Sequence, residues 1–121
     1  MSVGQFCPPD GVVEPRRLLE IENAVDGFKH TLRLTGEVDL SSAELLEDAM
    51  RQVCAGRRAT ELVVDLGGVS FMDSTGLRTL LVGKALCARS GVELRVLPGH
   101  ARVRRLLEIT GLGALTRAAA D

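Results

Sequence analysis

The chain has 121 residues, 45% of them hydrophobic and 2% aromatic, and a formal net charge of -1. That length suits one domain with an aliphatic core, and the near-neutral balance excludes a global basic field for DNA or an anionic membrane. With three Phe and neither Trp nor Tyr, it is also poorly equipped to stack on single-stranded nucleic acid.

Residues 1–17, with Pro8, Pro9 and Pro15, read as an irregular N-terminal arm. Residues 18–117 read as the folded domain and 118–121 as a short tail. Leu18 to Val25 is expected as a strand, closed by the hairpin signal Asp26-Gly27. His30 to Val38 follows as a second strand, because Leu32, Leu34 and Gly36 alternate with Thr31, Arg33 and Thr35. Ser41-Ser42-Ala43-Glu44 matches a capping box, with Ser41 as cap and Glu44 reaching back. The helix it opens carries Leu45, Leu46, Ala49, Met50 and Val53 inward and stops at Gly56.

Glu61 to Leu66 is nearly continuously apolar, the pattern of a central strand. Gly76 to Ala88 is a predicted helix with Leu77, Leu80, Leu81 and Ala85 inward, ended by Ser90-Gly91. Val92 to Leu97 alternates again, and Pro98-Gly99 stops it. Ala101 to Thr110 is a short helix with Val103, Leu106 and Leu107 inward, capped by Gly111. Ala114 to Thr116 is expected as a brief edge strand. The order β-β-α-β-α-β-α implies an α/β domain. Its mixed sheet has four to five strands, and right-handed crossovers put the helices largely on one face.

Cys7, Cys54 and Cys87 form no CxxC pair, so they read as reduced thiols. Cys54 and Cys87 lie on helix patterns and read as packing residues. No basic stretch leads into an apolar one at the N-terminus, and no apolar run approaches the ~20 residues that span a bilayer. The expectation is a soluble cytoplasmic protein, a monomer or weak dimer.

The sequence offers little for catalysis. Six residues separate Gly76 from Gly83 where a P-loop requires four, and Ala85 stands where it needs Ser or Thr. Ser74 lacks the G-x-S-x-G frame, and His30 and His100 are the only histidines. They show no metal-ligand spacing with the cysteines. Asp65 reads as a structural residue closing a strand. Arg102, Arg104 and Arg105 read as a solvated helix face, with Arg104–Glu108 as a spaced pair.

Phe71-Met72-Asp73-Ser74-Thr75-Gly76-Leu77 lies where a strand hands over to a helix. The first N–H groups of that helix need partners, and Asp73 or Ser74 can cap them. A phosphate on Ser74 would bring about -1.5 to -2 charges at neutral pH. The helix N-terminus would tolerate it there. A partner pressed against Asp73-Ser74-Thr75 would not.

Asp73-Ser74-Thr75-Gly76-Leu77, with the strand Leu62–Leu66 and Val69-Ser70-Phe71 before it, resembles the signature of STAS domains. The bacterial anti-sigma factor antagonists are the nearest likeness within that family. Leu34-Thr35-Gly36-Glu37-Val38-Asp39 is similar to the family's second stretch, and Val103 to Leu112 to its C-terminal helix and turn. The likeness covers about residues 18–117.

The resemblance implies a non-enzymatic switch without cofactor or metal. In such proteins the first hydroxyl after the motif Asp, here Ser74, is phosphorylated by the cognate anti-sigma factor, a serine kinase using ATP. Thr75 is a secondary candidate. The unphosphorylated form binds the anti-sigma factor and frees the sigma factor; the phosphorylated form does not, and a serine phosphatase resets it. Asp73, Thr75, Gly76 and Leu77 would frame the site, with Glu37 and Asp39 near it in the docking surface. Arg78 stands where many members carry Gly; it either pairs with a phosphate or partner acid, or is simply solvated. Two other readings compete. One is a STAS scaffold or transporter-associated subunit of a stress complex, without phosphorylation. The other is small-ligand or nucleotide binding at the same strand-to-helix end.

Overall fold

The computed structural model describes residues 19–120, with side chains through Thr116. The expected arm over 1–17, Leu18, Cys7 and Asp121 lie outside the described residues. Four strands form one sheet in the order β1-β2-β3-β4. β1 (Glu20–Asp26) runs antiparallel to β2 (Lys29–Val38) through a two-residue turn, in which Gly27 adopts φ +64. A side chain there would be strained, so glycine sets the hairpin.

β2 pairs in parallel with β3 (Glu61–Met72), and β3 in parallel with β4 (Glu93–Leu97). Helices α1 (Ala43–Ala55) and α2 (Ser74–Ser90) make the two crossovers. Both crossovers step the same way across the sheet, so right-handed connections place both helices on one face. α3 (Ala101–Ile109) follows β4. The resulting order is the expected β-β-α-β-α-β-α, with a final helix α4 (Gly113–Ala120) added.

One aliphatic core fills the space between sheet and helices. Leu32, Leu34, Leu62, Val64, Leu94 and Val96 rise from the strands. Leu46, Met50, Leu80, Leu107 and Leu112 meet them from the helices and the turn before α4. Removing apolar surface from water at about 25 cal/mol per Å² makes this layer the main stabilising term. The opposite face of the sheet carries ion pairs instead: Arg33–Glu22 at 4.0 Å, Arg95–Glu61 at 3.1 Å and Arg95–Glu93 at 3.8 Å. These pairs are partly exposed and contribute little each.

Four local expectations need correction. β3 continues to Met72 rather than ending at Leu66. Gly67 and Gly68 do not stop it: a Cβ on Gly68 would lie 2.8 Å from the Leu34 carbonyl oxygen, so β2 comes too close for any side chain. The ladder shifts register between Arg33 and Thr35 and again between Gly36 and Glu37, and so carries on. The capping box of α1 does not form. Ser42 is the N-cap residue and its side chain caps nothing in the helix. Leu45, Leu81 and Ala85 face outward, so the buried stripe of α2 is Gly76, Leu77, Leu80, Gly83 and Cys87. Finally, Ala114–Thr116 is helical, and no fifth strand exists among the described residues. Leu112 and Leu115 are spaced to reach the core from one helical face, and the Ala-rich run favours a helix.

Candidate functional site

The ends of β2 and β3 lie side by side, and each leads into a helix. Glu37 is partnered with Phe71 and Val38 with Met72. Beyond them the Asp73 N–H donates to the Val38 carbonyl at 3.3 Å. This last rung brings the β2–α1 turn against the start of α2. Residues far apart in sequence, Asp39 and Asp73, thereby line one shallow hollow with Leu40 and Ser41.

Asp73 is the cap of α2. Its backbone is extended, and its Oδ1 accepts from the N–H of Thr75 at 2.9 Å and of Gly76 at 3.2 Å. Its carbonyl accepts from the Leu77 N–H at 3.2 Å. Ser74 is thus the first residue inside the helix, not its cap. It is exposed, and its hydroxyl has no hydrogen-bond partner among the described residues. The expected supply of free N–H groups for a phosphate is smaller than the sequence suggests, because the Asp73 side chain already engages two of them. Tolerance for added charge there rests on the helix dipole and on open solvent.

Gly76 and Leu77, which the resemblance places in the frame of the site, are buried. A Cβ on Gly76 would lie 2.9 Å from Val38 Cγ1 and 3.1 Å from the Val38 carbonyl oxygen. Glycine at this position lets α2 start tight against β2. Leu77, 7% exposed, belongs to the core. Both residues hold the start of α2, and with it Ser74, against β2 and the core.

On the neighbouring turn, Asp39 Oδ1 accepts from the Ser41 N–H at 3.0 Å and the Ser41 hydroxyl at 2.7 Å. The Ser41 hydroxyl, helped by the Ser41 and Ser42 backbone and the Ser42 hydroxyl, holds the Asp39 carboxyl below its ordinary value of 3.8, against an opposing effect of burial. Buried Ser42 donates its hydroxyl to the Glu37 carbonyl at 2.7 Å and accepts from the Asp39 N–H at 3.0 Å. These bonds explain why Ser41 and Ser42 cannot cap α1: their hydroxyls already hold the turn. Glu37 is half-buried and adds its carbonyl to this network.

Arg78 lines a groove of about 580 Å³ between α1 and α2, with Leu40, Glu44, Glu47, Thr75, Thr79 and Val82 among its walls. It makes no ion pair among the described residues, whereas Glu47 pairs with Arg51 at 2.5 Å. Thr79 is buried and donates its hydroxyl to the Thr75 carbonyl at 3.0 Å. Two apolar side chains of the rim escape sequence reading. Leu40 is 81% exposed and Phe71 48% exposed. Strand parity does not find Phe71, because the register shifts break the two-residue period and the buried positions after Leu66 are Val69 and Met72.

Among the described residues, no three of His, Cys, Asp and Glu come together as a metal-ligand group. No helix among them is long and apolar enough to cross a membrane.

The family model described as "Mlab, STAS domain" matches residues 23–117. The chain belongs to the STAS domain family. Among curated relatives, the anti-sigma-B factor antagonist of Staphylococcus aureus is 40% identical over 99 residues, 78% of this STAS chain and 86% of that one. The anti-sigma F factor antagonist of Paenibacillus polymyxa is 32% identical over 81 residues, 67% and 69% of the two chains. Among solved structures, the antagonist SpoIIAA in its unphosphorylated form superposes with a TM-score of 0.69 at 23% identity, covering 80% of this chain and 84% of that one. The phosphorylated form of Bacillus SpoIIAA gives 0.64 at 22% identity, covering 80% and 86%. At those identities the likeness to SpoIIAA is one of fold. For this STAS domain, the Ser74 motif thus lies at the junction of β3 and α2, at one end of the helical layer.

Proposed function

We propose that this STAS domain is an anti-sigma factor antagonist acting in the cytoplasm. It binds its anti-sigma factor through the rim around Ser74, and phosphorylation of Ser74 switches binding off. The partner is a serine kinase using ATP, and a serine phosphatase restores the unmodified form. The antagonist itself catalyses nothing. The observation that carries this reading is the freedom of Ser74: Asp73 caps α2, so the serine hydroxyl has no structural duty.

The proposed docking rim comprises Glu37, Asp39, Asp73, Ser74, Thr75 and Arg78, with Leu40 and Phe71 as apolar contacts. A phosphate of about -1.5 to -2 charges, strongly hydrated and set beside the Asp73 carboxylate, would have to be desolvated for the same surface to close. A loss of about 3 kcal/mol weakens binding roughly a hundredfold. Arg78, one turn along α2, is the nearest cation in the helix, and it gives the phosphate a partner within the same chain.

The test is incubation with the cognate anti-sigma kinase and ATP, followed by mapping of the phosphate by mass spectrometry. We expect modification at Ser74, no modification of Ser74→Ala, and retained binding by that variant. Phosphate confined to other positions, with Ser74→Ala still modified, overturns the assignment. Capture of a membrane transporter, with no kinase bound, would favour the scaffold reading instead.

A further inference from the structure

We propose that Cys54 and Cys87 form a reversible oxidation site, closing under peroxide to an intramolecular disulfide that ties the end of α1 to the last turns of α2. The two residues are far apart in sequence, yet their sulfurs lie 3.7 Å apart across the helix pair. Both are reduced and buried, at 7% and 1% exposure. A disulfide requires about 2.05 Å between sulfurs, so each side chain has less than about 1 Å to travel. One turn earlier on both helices, Met50 packs over Gly83, where any side chain would collide with the methionine. That contact holds α1 and α2 close enough for the thiols to face each other.

The pair also has an entrance. Cys54, Arg57, Ala59, Arg89 and Ser90 line a surface hollow of about 340 Å³, ample for a peroxide molecule. Neither Arg57 nor Arg89 is paired with a carboxylate among the described residues. Two guanidinium groups flank the mouth. Cys87 lies behind it, and burial together with the Cys54 sulfur pushes its thiol up to about 12. Cys54 lines the hollow and Cys87 does not, so Cys54 is the attacking group and Cys87 the resolving one. Simple packing would need only small apolar side chains here; it would not need sulfur facing sulfur behind an arginine-lined opening.

The chemistry balances. The Cys54 sulfur attacks one peroxide oxygen, the O–O bond breaks, and the departing hydroxide takes the Cys54 proton to leave as water. Cys54 is now a sulfenic acid. The Cys87 sulfur attacks that sulfur, the S–O bond breaks, and the departing hydroxide takes the Cys87 proton as a second water. Two thiols lose two electrons and two protons, and one peroxide becomes two waters. A dithiol reductant reverses the bond by exchange.

The test uses the full chain carrying Cys7→Ser, so that the third cysteine cannot compete. After exposure to hydrogen peroxide, free thiols are alkylated and peptides mapped by mass spectrometry. We expect a Cys54–Cys87 crosslinked peptide as the main product, lost on treatment with dithiothreitol. With Cys87→Ser added, dimedone should label Cys54 as a trapped sulfenic acid. The unfolding midpoint should be higher for the oxidised than for the reduced protein, because a crosslink restricts the unfolded chain. Two outcomes overturn the proposal. One is separate sulfinic or sulfonic acids on the two cysteines without a crosslink. The other is both thiols intact under peroxide that oxidises Cys7 in the unsubstituted chain.

Discussion

At the scale of single residues, neighbouring side chains at the helix start have separate tasks. Asp73 bonds to two N–H groups of α2, and Ser74 bonds to none of the described residues. Losing Asp73 therefore harms the fold, while losing Ser74 does not. Asp73→Ala is expected to destabilise the domain by about 1 kcal/mol, the usual loss for an N-cap. Ser74→Ala is expected to leave stability unchanged. Urea denaturation of both variants checks the contrast, and equal losses would place Ser74 in the cap after all. Sequence alone could not assign these tasks, because Asp and Ser are both common caps. Only the backbone geometry, extended at Asp73 and helical from Ser74, decides between them.

At the scale of elements, α2 depends on two glycines that meet different obstacles. Gly76 faces the Val38 carbonyl of β2, which is backbone and cannot yield. Gly83 faces the end of the Met50 side chain, which can turn aside. In an open helix, Gly→Ala gains about 1 kcal/mol; a clash in a packed layer costs about 1–3 kcal/mol. Gly76→Ala is expected to be a net loss of up to about 2 kcal/mol by the same comparison. Gly83→Ala is expected to lose less. Thermal melts of the two variants decide the order.

The elements also show where sequence reading succeeds and fails. Alternation in β2 and the apolar run in β3 were legible because each strand buries a defined face. The far half of β3 was hidden because Gly67 and Gly68 imitate a turn, whereas they answer the close approach of β2. The cap of α1 is not legible in the sequence because the Ser41 and Ser42 hydroxyls are used by Asp39 and Glu37, in a turn that the capping-box pattern does not reveal. Leu45 and Leu81 fit the helical spacing of a buried face yet lie at 52% and 49% exposure, because hydrophobicity alone does not fix which face packs. The Ser74 motif was legible as a junction; the groove with Arg78, Glu44 and Glu47 needed two helices brought together.

At the scale of the whole molecule, one face of the sheet is covered and one carries ion pairs, so stability rests on a single aliphatic layer. Its response to acid has a local contributor. The Asp39 carboxyl is held below 3.8 by the Ser41 hydroxyl, so the folded state favours its charged form. That contribution is complete above the unfolded value and is lost as pH falls through the lowered one. Urea midpoints should therefore decline below pH ~4, and Asp39→Asn should remove part of that decline. An unchanged slope in Asp39→Asn would show that the Ser41 bond does not persist in solution.

The length of α2 has one more consequence. The proposed phosphate seat opens this helix, and the proposed thiol lies in its last turns, about 20 Å further along the axis at 1.5 Å per residue. Charge at the first position is screened by physiological salt within about 8 Å. A sulfur–sulfur bond at the far end alters no charge on the rim. Each mark could then be written without erasing the other, and a single rigid rod would carry four distinguishable messages on one small domain.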